Sequence, residues 1–389
     1  MTRDMARRVE SLSTDATEVT ALGQEIDGRA AAGEFAWIGD LGAEIASRAA
    51  GVKDSQWYYD VVFDRVQRAL AAHPGRESLR TLVRLPLSLR QEDPQRTSAE
   101  RRLAALVAGG HRADDVDPVV FGEESGRYPL SHEFKACLLH ELVLKGAPVE
   151  EHAGLSSFAG ALVAEGHPLA VLPLTLLPAE RGLRRPPHAA DWTWALPPSP
   201  MVTFEGPELH ASPQMRQRTA HVDMTEITDA ASAEAMGAAV RHWCAQSNGK
   251  VAAQEFWSPD PVAPDDFPAV FERLPLIPWR AEDAPARLYA SASDTVLRVL
   301  LTAAALSPAY GSGLYGAYGR LAAWRSLGAL VGAPADAPLT DTAERVERAH
   351  WFRAAPASDW FHEVAWDFAV VALRPGGQEI AVLAATDTD

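Results

Sequence analysis

The run Pro178-Ala-Glu-Arg-Gly-Leu-Arg-Arg-Pro-Pro-His-Ala-Ala-Asp-Trp-Thr-Trp-Ala-Leu-Pro-Pro-Ser-Pro200 decides how the rest of the chain is read. Each of its prolines fixes φ and removes a backbone donor, so six of them leave no room for a regular helix. The pattern differs on its two sides. We therefore expect a helical domain over 1–177, a Pro-rich linker over 178–200 and a mixed α/β domain over 201–389.

Upstream, apolar residues recur at three- and four-residue spacing, which is the period of a helix with one buried face. Val19, Leu22 and Ile26 form one stripe, Ile38, Leu41 and Ile45 a second, and Trp57, Val61, Val62, Val66 and Leu70 a third. Further stripes follow at Leu79, Leu82, Val83; Leu103, Leu106, Val107; Phe134, Leu138, Leu142; and Leu155, Phe158, Leu162. Glycine and proline punctuate them at Gly33, Gly51, Pro74-Gly75, Gly109-Gly110 and Gly146 to Pro148. Stacked helical hairpins bury such faces against one another. No residue signature repeats at a fixed period, so the stacking should be irregular.

Downstream, strand-like segments appear. Met201 to Glu205 is a short apolar candidate, and Thr219 to Thr228 alternates, with Val222 and Met224 opposite His221, Asp223 and Thr225. Asp229 reads as the N-cap of a helix with Met236, Val240, Trp243 and Cys244 on its buried side. Val251 to Trp257 is the next strand. Strand, helix, strand is the form of a crossover unit, which predicts two parallel strands. Helices are expected near Asp265–Leu274, Ser293–Leu306, Gly313–Val331 and Asp341–His350. Phe361–Leu373, the turn Arg374-Pro-Gly-Gly377 and Glu379–Ala385 predict a closing hairpin. The fold class is α+β: irregular helical hairpins, then an α/β-type domain on a small mixed sheet.

In the second half, Ala239-Val-Arg-His-Trp-Cys244, Ser247-Asn-Gly-Lys250, Gly319-Arg-Leu-Ala-Ala-Trp-Arg-Ser-Leu327 and Leu383-Ala-Ala-Thr-Asp-Thr-Asp389 resemble a conserved actinobacterial protein family of unknown function. The resemblance implies no activity, cofactor or site residue.

Composition bounds the partners. The 389 residues are 47% apolar and 23% charged, with a formal charge of -16. That charge is spread evenly, 19 bases and 27 acids up to Glu180 against 17 and 25 beyond it. A chain so acidic is repelled by phosphate backbones and anionic lipid, so we expect neither nucleic acid nor membrane as a partner. The charged start Met-Thr-Arg-Asp-Met-Ala-Arg-Arg and two distant cysteines, Cys137 and Cys244, suit a reducing cytoplasm. The 32 arginines against 4 lysines, with abundant alanine, reflect a GC-rich coding sequence more than a binding role.

The candidate chemistry lies in the second half. Alternation places His221, Asp223 and Thr225 on one strand face, where a general base meets an orienting carboxylate, so His221 and Asp223 are the catalytic candidates. Arg216 and Arg218 just before them would hold an anionic substrate. A solvated edge strand gives the same pattern. Nine of the eleven tryptophans stand at Trp192 or later, and large aromatic planes wall both cores and clefts. Trp192, Trp194, Trp279, Trp351 and Trp360 fall near loops, and Tyr310, Tyr315 and Tyr318 surround Gly311-Ser-Gly-Leu-Tyr-Gly316. That glycine spacing follows a helical stripe and not a strand, so a tight helix-to-helix turn is the better reading than a dinucleotide fingerprint.

No metal set is completed. Phe361-His-Glu-Val-Ala-Trp366 lacks the second histidine of a zinc helix, and Glu347-Arg-Ala-His350 stands alone. Asp114, Asp115 and Asp117 read as capping or solvated acids. His132, Ala136 and His140, beside Glu133 and Glu141, read as a charged outer face. Asp387 and Asp389 read as tail charges unless the hairpin pins them. Nothing identifies a cofactor or an oligomeric state. Two functions remain: a small-molecule or peptide-binding enzyme or accessory protein of specialised metabolism, with an aromatic-lined pocket made by Arg216, Arg218, Thr225, Trp192, Trp194, Tyr310 and Tyr315 around His221; or a non-catalytic interaction protein that uses the helical half.

Overall fold

The computed structural model describes residues 3–12, 16–50, 57–86, 89, 93–128, 130–183, 207–279, 286–362 and 366–388. The expected strand at Met201–Glu205 and most of the Pro-rich run lie outside them. The described residues up to Ala170 form one compact unit; Val171–Leu183 and the described residues from Pro207 onward form a second.

The first unit is helical: α1 (Arg3–Ser11), α2 (Ala16–Ala31), α3 (Phe35–Ala49), α4 (Trp57–Ala72), α5 (Arg76–Leu82), α6 (Asp93–Gly110), α7 (Ala113–Val116), α8 (His132–Leu144) and α9 (Ala153–Ala164), with a π-helical turn over Asp117–Phe121. Its centre is α4, which packs on α2, α3, α5 and α6, and α6 in turn packs on α8. The stripes read from the sequence supply the core, with Leu22, Ile26, Ile38, Leu41, Ile45, Val62, Val66, Leu70, Leu103, Val107, Phe134, Leu138, Leu142, Leu155 and Leu162 all buried. Gly110 lets α6 reach α4, because a Cβ there would stand 1.6 Å from the Ala71 carbonyl oxygen.

Two details of these stripes are corrected. On α4 the inward face is Tyr58, Tyr59, Val62, Phe63, Val66 and Leu70, while Trp57 and Val61 are about half exposed. Helical geometry explains it: 57 and 61 share the row of Asp64, Arg65 and Arg68, the charged outer face. On α8 the supposed outer face is open only at its first turn, where His132 is exposed, and interior beyond it, since Ala136, His140 and Glu141 are buried. Between α6 and α9 this helix has little solvent-facing side. The acidic cluster is put to structural use. Asp114 pairs with Arg112, Asp115 lies 3.5 Å from Arg76, and Asp117 Oδ1 accepts the Leu155 amide at 2.7 Å in the first turn of α9.

The second unit is built on one seven-stranded sheet. Its strands are β1 (Glu208–Leu209), β2 (Thr225–Glu226), β3 (Lys250–Trp257), β4 (Leu288–Ser291), β5 (His350–Ala354), β6 (Trp366–Leu373) and β7 (Glu379–Asp387), in the order β1-β4-β5-β6-β7-β3-β2. Its helices are α10 (Pro213–Arg218), α11 (Ala230–Met236), α12 (Arg241–Gln246), α13 (Phe267–Phe271), α14 (Ser293–Ala305), α15 (Tyr315–Leu330) and α16 (Leu339–Arg348). The β6–β7 hairpin turns at Arg374–Gly377 as expected, with Gly376 and Gly377 at positive φ. Asp229 caps α11, accepting the Ala231 and Ser232 amides at 2.8 Å.

The expected parallel crossover is overturned. Every pairing in the sheet is antiparallel, including β2 with β3. Of Thr219–Thr228 only Thr225 and Glu226 pair, opposite Trp257 and Phe256. The first part of that segment is the end of α10 and a turn in which the Val222 amide bonds to the Thr219 carbonyl.

Both faces of the sheet are covered. On one, Phe256, Phe352, Val371, Leu373, Ile380 and Val382 meet Phe267, Val270 and Phe271 of α13 together with Trp279 and Phe361. On the other, Trp243 of α12 meets Trp366 and Phe368 edge-on at about 6 Å. The α14–α15 connection runs over nine residues, 306–314, so it is longer than the tight turn expected at Gly311–Gly316, yet it packs closely, since a Cβ on Gly313 would come within 2.1 Å of the Ala305 carbonyl oxygen.

Two buried arginines fasten the edges of this unit. Arg320 of α15 forms a fully buried pair with Glu180 (2.6 and 2.8 Å) and donates to the Pro173 and Thr175 carbonyls, while the Trp324 indole donates to the same Glu180. This pairing explains why Val171–Leu183 packs with the second unit although the sequence change falls at 177/178. Arg374 of the hairpin turn bonds to Glu255, Glu379 and the Ala329 and Leu330 carbonyls.

Candidate ligand-binding cleft

One margin of the sheet opens into a cleft of about 670 Å³. Register explains its floor. Ala290 pairs with Phe352 and Leu209 with Leu288, so Leu209, Ala290, Phe352 and His350 look toward one side of the sheet. The opposite wall comes from Met215 of α10, Pro264 and Asp265 of the 3₁₀ turn Pro264–Asp266, and Pro268 at the start of α13. Glu208, His210, Ser291, Ala349 and Trp351 complete the rim. Phe267 stacks on Phe352 at 4.4 Å, which holds α13 against the sheet and fixes the depth of the cleft beside it.

The polar lining residues are Glu208, His210, Asp265, Ser291 and His350. Glu208 accepts a hydrogen bond from the Tyr289 hydroxyl at 3.3 Å, and its other oxygen lies 3.6 Å from His210 Nδ1. Asp265 is exposed, and His350 opens β5 with its ring in solvent. The lining thus combines apolar side chains with a few polar ones, the composition that small-molecule sites share.

The residues singled out in the sequence lie elsewhere. His221, Asp223 and Thr225 are exposed and none lines the cleft; Val222 between the first two is the buried one. Arg216 is engaged bidentately by Glu272 at 3.0 to 3.3 Å, and Arg218 by Asp266. The Arg218 hydrogen bond holds the Asp266 carboxyl below its ordinary range. Neither guanidinium is left open for an anion. Tyr310 is half exposed at the α14–α15 turn, where its amide bonds to Ser247 Oγ, and Tyr315 begins α15 at φ 58°. Trp192 and Trp194 lie outside the described residues. Asp387 is no tail charge: it is buried, and Oδ2 accepts Ser247 Oγ at 2.9 Å and the Ala309 amide at 2.8 Å. Among the loop tryptophans, Trp351 does line the cleft, its indole N–H bonded to the Val346 carbonyl at 2.8 Å.

Sequence reasoning missed Glu208, His210, Asp265 and His350 because four separate segments supply the cleft and no spacing links them. The available signals were Trp351 and the lone Glu347-Arg-Ala-His350, whose glutamate instead accepts a bond from Ser293. Among the described residues no group of three or more His, Cys, Asp or Glu is arranged to hold a metal ion, and no helix is long and apolar enough to cross a membrane.

Fold and cleft together define an α+β protein with a helical unit and an antiparallel-sheet unit that carries a small-molecule-sized recess. The chain belongs to a family of unknown function (DUF6183), whose profile matches residues 20–389. The relationship thus spans nearly the whole chain and not the second half alone. Neither the curated proteins nor the solved structures contain a significant match.

Proposed function

We propose that the protein binds a small amphiphilic organic molecule in the cleft of its sheet unit. One observation carries this reading: about 670 Å³ of recess in which Leu209, Ala290 and Phe352 face Met215, Pro264 and Pro268, with Glu208, His210, Asp265, Ser291 and His350 as the polar lining. That volume lies within the range of small-ligand sites. The two free thiols, Cys137 buried and Cys244 exposed, support a reducing cytoplasmic setting. The net charge of -16 argues against polyanionic partners. Catalysis at His221 and Asp223 finds no support in their exposed positions.

Saturation-transfer NMR with uncharged aromatic alcohols tests the site. We expect several to bind the full chain and to lose their signal in Ala290→Trp, which fills the floor. Equal signals in both proteins would refute the cleft as the site.

A second reading, partner docking on the helical unit, is favoured by Trp57 and Val61, one turn apart on α4 and 55% and 48% exposed. A lysine at 57 should then disrupt any self-association or co-purifying complex without changing the helical circular-dichroism signal.

A further inference from the structure

We propose that α10 is a lid on this cleft, latched by two exposed ion pairs and lifted to admit the ligand; the inference rests on the cleft reading and adds how that site is entered. Topology sets up the lid. β1 and β2 lie at opposite ends of the strand order, so the chain between them, 210–224, crosses the sheet as a strap. Its ends are anchored. Ala211 is buried before α10, and Thr219 and Val222 are buried after it, where Arg273 donates to the Thr219 carbonyl at 2.8 Å. Between these anchors α10 (Pro213–Arg218) buries no residue.

A helix without a buried side chain gains little hydrophobic free energy from its own docking. What holds α10 is polar. Arg216 meets Glu272 at 3.0 to 3.3 Å, just after α13, and Arg218 meets Asp266 just before it, with Asp265 adding negative charge beside Arg218. The two arginine side chains are 54% and 56% exposed, so water and salt compete for them and each pair adds only a small increment. Local opening of α10 therefore needs little free energy, as gating elements require. The helix moves as one piece, because Ser212 Oγ accepts the Met215 amide at 3.2 Å and the Met215 sulfur accepts the Ser212 amide at 3.3 Å. Met215 is the α10 residue that lines the cleft, so lifting α10 withdraws part of the wall.

Two measurements on the full chain test the lid, one without ligand and one with 2-naphthol as the probe. In hydrogen–deuterium exchange read by mass spectrometry, Arg216→Gln with Arg218→Gln should speed exchange over 212–220 about threefold or more, the scale of two exposed ion pairs, and leave 267–271 unchanged. Sodium chloride at about 0.5 M should do the same to the unsubstituted protein and add nothing to the double variant. In stopped-flow fluorescence the double variant should raise the association and dissociation rates of 2-naphthol together, about threefold or more, with the dissociation constant held within about twofold. Exchange over 212–220 that neither the variant nor salt changes would overturn the lid. So would faster dissociation at an unchanged association rate, which describes a fixed wall. The cleft reading survives both results as long as Ala290→Trp abolishes binding. No saturable 2-naphthol binding, or binding that Ala290→Trp leaves intact, would overturn the cleft reading and the lid with it.

Discussion

Glu180 and Arg320 face each other at zero solvent exposure, and every remaining polar atom of the pair is used: by Trp324, by the Leu177 amide and by the Pro173 and Thr175 carbonyls. Such a pair adds little over a well-packed apolar one, but losing one member strands a buried charge at a cost of about 3–5 kcal/mol. Glu180→Gln should therefore lower the urea midpoint of the sheet unit by that free energy. The joint change Glu180→Leu with Arg320→Met removes the stranded charge but leaves the Trp324 indole, the Leu177 amide and the Pro173 and Thr175 carbonyls without partners, so it should stay destabilised, and a double variant as stable as the unsubstituted protein would contradict this account. Two histidines supply an acid limb. Burial pushes His111 and His242 down to about 4, against partial opposition from the Leu70 and Leu306 backbone, and among the described residues no ring nitrogen of either meets a partner in full hydrogen-bonding geometry. The unfolded rings protonate near 6.5, so between that pH and about 4 the unfolded state binds more protons and stability falls as pH falls. The loss is about 1.4 kcal/mol per pH unit for each histidine, with full stability retained above 6.5. His111→Phe should remove that slope from the helical unit and His242→Phe from the sheet unit, read as urea midpoints at pH 7 and pH 5. Unchanged slopes would show that the rings protonate freely in the folded protein.

Among the elements, glycines distinguish close packing from open surface. Gly110 ends α6 against the Ala71 carbonyl, so Gly110→Ala must push α6 and α4 apart and should cost at least about 1–3 kcal/mol, the range for overpacking. Gly160 lies inside α9 with nothing within 4 Å of its would-be Cβ, and Gly160→Ala should stabilise the same unit by about 0.5–1 kcal/mol through its lower unfolded-state entropy. Thermal denaturation of the two variants should therefore shift in opposite directions. Helices were largely legible because their stripes have a period, and the closing hairpin because Pro375-Gly-Gly377 lies between two apolar runs. β4 and β5 were not, since Leu288–Ser291 and His350–Ala354 are four and five residues long and sit against helical segments. The parallel crossover was inferred from Thr219–Thr228, where alternation comes from a helix end, a turn and a two-residue edge strand. Trp351 and the neighbouring His350 were the cleft's signals in the sequence, because long-range strand pairing brings its other walls together.

For the whole molecule, the position of the last strand has the largest consequence. β7 is internal to the sheet, with β6 on one side and β3 on the other, and pairs with eight residues of each. Nearly all of it is buried, because helices cover one face and the α13 layer the other. The sheet therefore remains in two parts, β1-β4-β5-β6 and β3-β2, until the chain beyond Gly377 has been placed between them. Each part alone exposes an unpaired edge and an apolar face, a combination prone to aggregation. Leu383→Pro tests this dependence at the midpoint of β7, opposite Val370 and Ala253. Proline there removes a ladder donor from an inner strand and clashes with its pairing geometry. The expected result is loss of the near-ultraviolet circular dichroism of the tryptophan-rich sheet unit, with rapid proteolysis within 207–388. Much of the far-ultraviolet helical signal should remain, because α1 to α9 pack among themselves. Proline at Thr225, in the two-residue edge strand β2, should leave the near-ultraviolet signal in place. Equal damage from both substitutions would mean that the edge and the centre of the sheet contribute alike, contrary to the observed strand order.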